Sequence, residues 1–346
     1  MLLRVLVIEG GTVPVRTRLC ERFGVEHPIL NAPMGGGDAP AGLAAAVSNA
    51  GGLGLIGGTT VGGVSWLRSQ ISRARDLTDR PFGVGFVVHV PGAERLVAAA
   101  LEAGVRALAL SFGDPTPFIG PAHSAGATVI CQVRTVEDAR RAAGAGVDVV
   151  TAQGTEAGGH TGMVSTLPLV PAVVDAVSPV PVIAAGGIAD GRGVAAALML
   201  GAEAVWIGTR FLATPECGVS DAYKARVVAS GADDTVLTDV FDVASGTPWP
   251  EGVSGRSIRN RFADRWLGRE EELRAWIEEH GDEYRAIGPE EADEVAIWAG
   301  EASTFVRGAE SAADVVRTLM AETLAVLERR PAELLGSSGE RPRGSA

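Results

Sequence analysis

Eight short apolar runs separated by helix-patterned stretches constrain the fold of this chain more than any other feature. They are Pro28–Asn31, Leu53–Ile56, Phe82–Val87, Val105–Ser111, Ala127–Cys131, Val147–Thr151, Val180–Ala185 and Ala202–Ile207. Between most of them lie alanine- and leucine-rich segments, such as Leu96–Ala103 and Val136–Ala143, with apolar residues at helical spacing. Strands that alternate with helices form a parallel sheet through right-handed crossovers. Eight such units predict a closed (β/α)8 TIM barrel, with an open doubly wound sheet as the alternative.

Barrels of this kind run to roughly 250 residues, so a chain of 346 leaves room for an addition. The strand–helix alternation fades after Cys217. Residues 218–288 carry charged helical patterns, notably Arg265–His280, with a turn-rich break at Gly246–Gly255. This stretch reads as a smaller helical insertion or lid. The barrel then takes 16–217 together with the helical stretch Pro289–Arg330, and the Gly/Ser/Pro/Arg-rich tail Gly336–Ala346 reads as disordered.

Composition narrows the partners. A net charge of −12 disfavours nucleic acid and anionic membrane surfaces. The three cysteines, Cys20, Cys131 and Cys217, are far apart and form no CxxC pair, which fits a reducing cytoplasm and argues against a zinc knuckle or a disulfide framework. Met1–Gly10 lacks the long apolar core and cleavage site of a secretion signal. No cluster with metal-ligand spacing is present. Oligomeric state is not legible, a homodimer being one possibility.

The chemistry gathers in glycine-rich loops after the strands. Ala152–Gly162 (AQGTEAGGHTG) sets His160 beside backbone that can approach a ligand closely, and an imidazole exchanges protons near neutral pH. The seventh predicted strand runs into Ala184-Ala185-Gly186-Gly187-Ile188-Ala189-Asp190-Gly191-Arg192-Gly193. Gly186 and Gly187 offer bare N–H groups there, and Asp190 is placed to cap the next helix. The eighth ends in Ile207-Gly208-Thr209-Arg210-Phe211. Barrels commonly hold phosphate at these two loops; the plainer reading is two tight turns. Asn31-Ala32-Pro33-Met34 closes the first strand, where Met34 suits either a flat ring or the core.

Together these segments resemble the nitronate monooxygenase family, formerly the 2-nitropropane dioxygenases, which are FMN enzymes on a (β/α)8 barrel. The segments that match are Asn31–Met34, Gly51–Gly54, Glu156–Gly162, Ala185–Gly193, Gly208–Phe211 and Ile297-Trp298-Ala299-Gly300. The resemblance implies FMN across the barrel mouth, with Ala32, Pro33 and Met34 along the isoalloxazine ring. It implies Gln132 and Gln153 on the ring or ribityl chain, and Gly158, Gly186, Gly187, Gly208 and Thr209 around the phosphate. His160 stands where the family places its catalytic base. The implied reaction oxidises alkyl nitronates with O2 to carbonyl compounds and nitrite. Enoyl-ACP and quinone reductases that spend NAD(P)H share the last two barrel motifs and give the alternative. The chain departs from many members in having Asn31 for Gln, and from some in having Gln132 for Lys, so a positive charge near the flavin is missing.

Of the other histidines, His89 closes the third strand and either faces the site or sits on its rim. His27, His123 and His280 read as loop or surface residues. Glu156 either orients its loop or is a plain rim carboxylate.

Overall fold

The computed structural model describes residues 15–60 and 62–336. The eight expected strands all form: β1 (Ile29–Asn31), β2 (Gly54–Gly57), β3 (Phe82–Val87), β4 (Ala107–Ser111), β5 (Thr128–Val133), β6 (Val149–Gln153), β8 (Val182–Ala185) and β9 (Ala204–Ile207). They pair in parallel in the order β1-β9-β8-β6-β5-β4-β3-β2. A parallel bridge from Leu30 to Leu53 brings the two ends together and makes the sheet a barrel. The closed fold, not the open sheet, is therefore the one adopted.

Closure rests on a side chain as well as on backbone. Asn31 is fully buried; its amide donates to Leu55 O (2.8 Å) and its carbonyl accepts from Leu55 N (2.8 Å). It bridges β1 and β2 where backbone pairing is reduced to a single bridge. A side-chain amide carries one donor and one acceptor, as a strand neighbour does.

Residues alternate along each strand between two cores. Leu55, Ala109, Ile130, Val149, Ile183 and Trp206 fill the barrel interior, while Ile56, Val84, Leu108, Val129, Val150 and Val205 face the surrounding helices. Gly85 in β3 leaves space at the mouth: a Cβ there would lie 2.2 Å from Pro33 Cγ. A long final helix, Ala312–Leu335, lies along the Gly191–Met199 helix and buries Val315, Val316, Leu319 and Met320.

Three stretches differ from the sequence reading. Gly159–Thr161, expected as loop, is strand β7, the edge of a second sheet of order β10-β11-β7 with β10 (Thr235–Thr238) and β11 (Ser254–Ile258). Register sets His160 opposite Gly255. The 218–288 stretch thus adds two strands to its helices Asp221–Val228, Val240–Ser245, Arg261–Trp266 and Glu270–Arg285. Gly268, at φ +73°, lies in the break between the last two of these, so Arg265–His280 is not one helix. Of Pro289–Arg330, only the part from Ala312 is α-helical. The expectations for Met1–Gly10 and for residues 337–346 lie outside the described residues.

Candidate active site

All eleven residues that the resemblance assigns to the cofactor and to catalysis border one cavity of about 410 Å3 at the C-terminal ends of the barrel strands: Ala32, Pro33, Met34, Gln132, Gln153, Gly158, His160, Gly186, Gly187, Gly208 and Thr209. That volume falls within the range of roughly 300–1,000 Å3 usual for cofactor and small-molecule sites.

A ladder of amides crosses the mouth. Ser111 Oγ donates to Gln132 Oε1 (3.1 Å), Gln132 Nε2 to Gln153 Oε1 (2.6 Å), and Gln153 Nε2 to the carbonyl of His160 (3.1 Å). Each amide fixes the orientation of the next, so β4, β5, β6 and β7 are tied into one polar edge.

His160 has a partner that sequence spacing gave no means to find. Its Nε2 lies 2.9 Å from both carboxylate oxygens of Asp242, on the Val240–Ser245 helix 82 residues away. The two side chains are 10% and 11% exposed, so the pair is shielded from bulk water. With Nε2 donating to Asp242, Nδ1 is the nitrogen left to exchange a proton, and the carboxylate stands ready to stabilise the imidazolium. Trp249 stacks on the same imidazole, ring centres 3.5 Å and planes 13° apart, and Trp298 tilts against it at 4.8 Å. Phe112 meets Trp249 edge-on at 5.0 Å. Its φ of +60° is the only positive value at a non-glycine among the described residues, and such backbone persists only where its surroundings hold it. His89 supplies part of that hold, its Nδ1 3.0 Å from Phe112 O; it stands behind the aromatic wall and does not border the cavity.

The glycine loops interlock with the C-terminal motif. A Cβ on Gly158 would fall 2.4 Å from Gly300 N, so bare backbone is what lets Trp298-Ala299-Gly300 seat against this loop. Gly300 N in turn donates to Thr209 Oγ1 (2.9 Å), leaving that hydroxyl its own proton to give. Glu156 takes up both the N–H and the hydroxyl of Thr166 at 2.8–3.0 Å, which settles it as the residue that orients its loop. Asp190 caps the Gly191–Met199 helix through Arg192 N and Gly193 N, as its position suggested. Gly186 (φ +102°) and Gly187 (φ +70°) turn the β8 loop across the cavity. Among the described residues no group of His, Cys, Asp or Glu is placed to hold a metal, and no helix is long and apolar enough to cross a membrane.

The sequence matches the nitronate monooxygenase family model over residues 16–95 and 88–322. The chain belongs to this family. It is 42% identical over 230 residues to (3aS,4S,5R,7aS)-5-hydroxy-7a-methyl-1-oxo-octahydro-1H-indene-4-carboxyl-CoA dehydrogenase of Mycobacterium tuberculosis. That match covers 66% of this chain and 64% of the relative's length. Among solved structures, FabK from Thermotoga maritima superposes with a TM-score of 0.82 at 35% identity, covering 92% of this chain and 99% of that one. Nitroalkane oxidase from Streptomyces ansochromogenes superposes with a TM-score of 0.72 at 30% identity, covering 91% and 99%. The proteins this chain resembles thus carry names from more than one chemistry, and the residues around the cavity must choose between them.

Proposed function

We propose that this chain is an FMN-dependent oxidoreductase that acts beside the carbonyl of a compound whose acyl part is uncharged and largely apolar. The observation that carries this reading is the pairing of His160 with Asp242 on a cavity whose described lining holds aromatic residues and neither Lys nor Arg. An imidazole backed by a carboxylate gives or takes a proton at carbon, while an anionic acyl group inside the cavity finds no cation in the described lining. The relative named as a carboxyl-CoA dehydrogenase fits such chemistry.

The residues suit FMN. Backbone at Gly158, Gly186, Gly187 and Gly208, with the hydroxyl of Thr209, offers donors for a phosphate at the β8 and β9 loops. Ala32, Pro33 and Met34 form an apolar seat for a flat ring, and Gln132 and Gln153 supply amides at its edge. When bound there, FMN supplies hydride exchange. The protein's own part is to hold the acyl group against the Trp249 and Phe112 wall, to keep water out, and to move one proton at His160 Nδ1. Residues 218–288 act in this reading as the lid, since they carry Asp242 and Trp249.

The second reading is nitronate oxidation with O2, favoured by the family's name and by the likeness to nitroalkane oxidase. Anaerobic mixing of the FMN-loaded protein with NADH, NADPH or ethylnitronate separates the two. Bleaching by a pyridine nucleotide, with colour restored by an enoyl thioester, supports the first. Bleaching by ethylnitronate alone replaces it with the second.

A further inference from the structure

Asp38 contributes the one carboxyl in the described lining of the cavity. Its backbone is pinned three ways: its N–H donates to Gly35 O (3.2 Å), and its carbonyl accepts from Gly218 N (3.0 Å) and Cys217 Sγ (3.0 Å). These bonds fix where the side chain begins. Yet among the described residues neither carboxylate oxygen has a hydrogen-bond or ion-pair partner, and burial alone pushes this carboxyl up to about 6. Tyr223, on the Asp221–Val228 helix, borders the same cavity; its hydroxyl is buried and makes no well-aligned hydrogen bond among the described residues. Burial first, then the nearby Asp38, push that phenol well up, and a weak contact with the backbone of Trp298 offsets only part of this. Buried polar groups without partners are rare in folded proteins and call for an explanation. The Tyr223 hydroxyl is one, and beside it the half-buried Asp38 carboxyl faces the cavity without a partner among the described residues; one bound group would answer both.

We propose that Asp38, backed by Tyr223, is a recognition point for an uncharged hydrogen-bond donor on the substrate, a hydroxyl or an amide N–H. The group opposite must donate, because a carboxylate accepts. It must not be an anion, because no cation in the lining offsets Asp38. The assignment rests on the cavity being the substrate site, and it adds to that reading which kind of group the substrate presents away from its reacting carbon.

The test is binding, not turnover. The full chain, loaded with FMN, is titrated at pH 7 with acetophenone and with 4-hydroxyacetophenone, a flat ketone pair that differs by one donor. Binding is followed by flavin absorbance and by calorimetry. The hydroxylated ketone is expected to bind about tenfold tighter, and Asp38→Ala to shrink that preference to within about twofold, with Tyr223→Phe in between. Should Asp38→Ala fold poorly, the isosteric Asp38→Asn takes its place and is expected to keep only part of the preference. Equal affinity of the wild type for the two ketones overturns the proposal, as does a preference that Asp38→Ala leaves intact. Loss of FMN by a folded Asp38→Ala protein also overturns it, by assigning Asp38 to the cofactor. A wild-type chain that refuses FMN sinks the proposed function instead; calorimetry on the two ketones still reads the Asp38 preference.

Discussion

At the scale of single residues, the site is one imidazole whose chemistry is set by a carboxylate far off in sequence. His160→Asn is expected to leave FMN bound and to lower kcat by roughly 10²-fold or more, the usual worth of a positioned acid or base. Asp242→Asn is expected to lower kcat by about 10–100-fold with KM and FMN affinity little changed, because it releases the ring orientation and not the pocket. Steady-state kinetics and flavin fluorescence check both; a raised KM at unchanged kcat would remove Asp242 from this role. Asp38 carries a consequence for stability. Its carboxyl sits at about 6 in the fold against an ordinary 3.8, so between those values the folded state binds more protons than the unfolded one. Stability from this group is therefore full below about pH 4 and falls as pH rises toward 6, by on the order of 2 kcal/mol. Thermal melts of Asp38→Asn and wild type are expected to differ more, in the variant's favour, at pH 7.5 than at pH 4. An equal gap at both pH values would show that Asp38 does not titrate this way. His160 was legible in the sequence because glycines flank it. Asp242 and Trp249 were not, because a single Asp in a short helix and a Pro-Trp-Pro turn look the same whether they face water or a cavity.

At the scale of elements, strand positions were legible and strand partners were not. Apolar runs of four to seven residues bounded by glycine mark a barrel strand whatever it pairs with. The Gly159–Thr161 strand carries no such mark: three residues with a histidine at the centre become a strand only because β11 arrives to pair with them. Asn31 shows the same dependence. Read from sequence it was only a departure from the Gln of many family members; in the fold it is the clasp between β1 and β2. Asn31→Leu strands the N–H and the C=O of Leu55 inside the barrel, at about 1–3 kcal/mol for each orphaned group. A thermal midpoint lowered by several degrees is expected from calorimetry. An unchanged midpoint would mean that backbone pairing closes the barrel unaided.

At the scale of the whole molecule, the last helix is part of the barrel's outer layer. Val315, Val316, Leu319 and Met320 are each at most 4% exposed, and burying side chains of this kind is worth roughly 1.5–3 kcal/mol apiece. Together that rivals the stability of a typical domain. A chain cut after Gly308 is expected to be insoluble or to lose its cooperative melt, judged by circular dichroism; a soluble product with the full-length midpoint would place this helix outside the fold. The sequence alone determined the barrel, its eight strands and the glycine loops that ring its mouth, because strand period, helix period and turn chemistry are local and repeat along the chain. Only the tertiary structure decided what completes the site. The Asp242 partner of His160, the aromatic wall, the seat of Trp298-Ala299-Gly300 on Gly158 and the unpaired Asp38 are juxtapositions of segments tens to hundreds of residues apart. Such contacts are set by how layers pack, and packing leaves no period in a sequence to read.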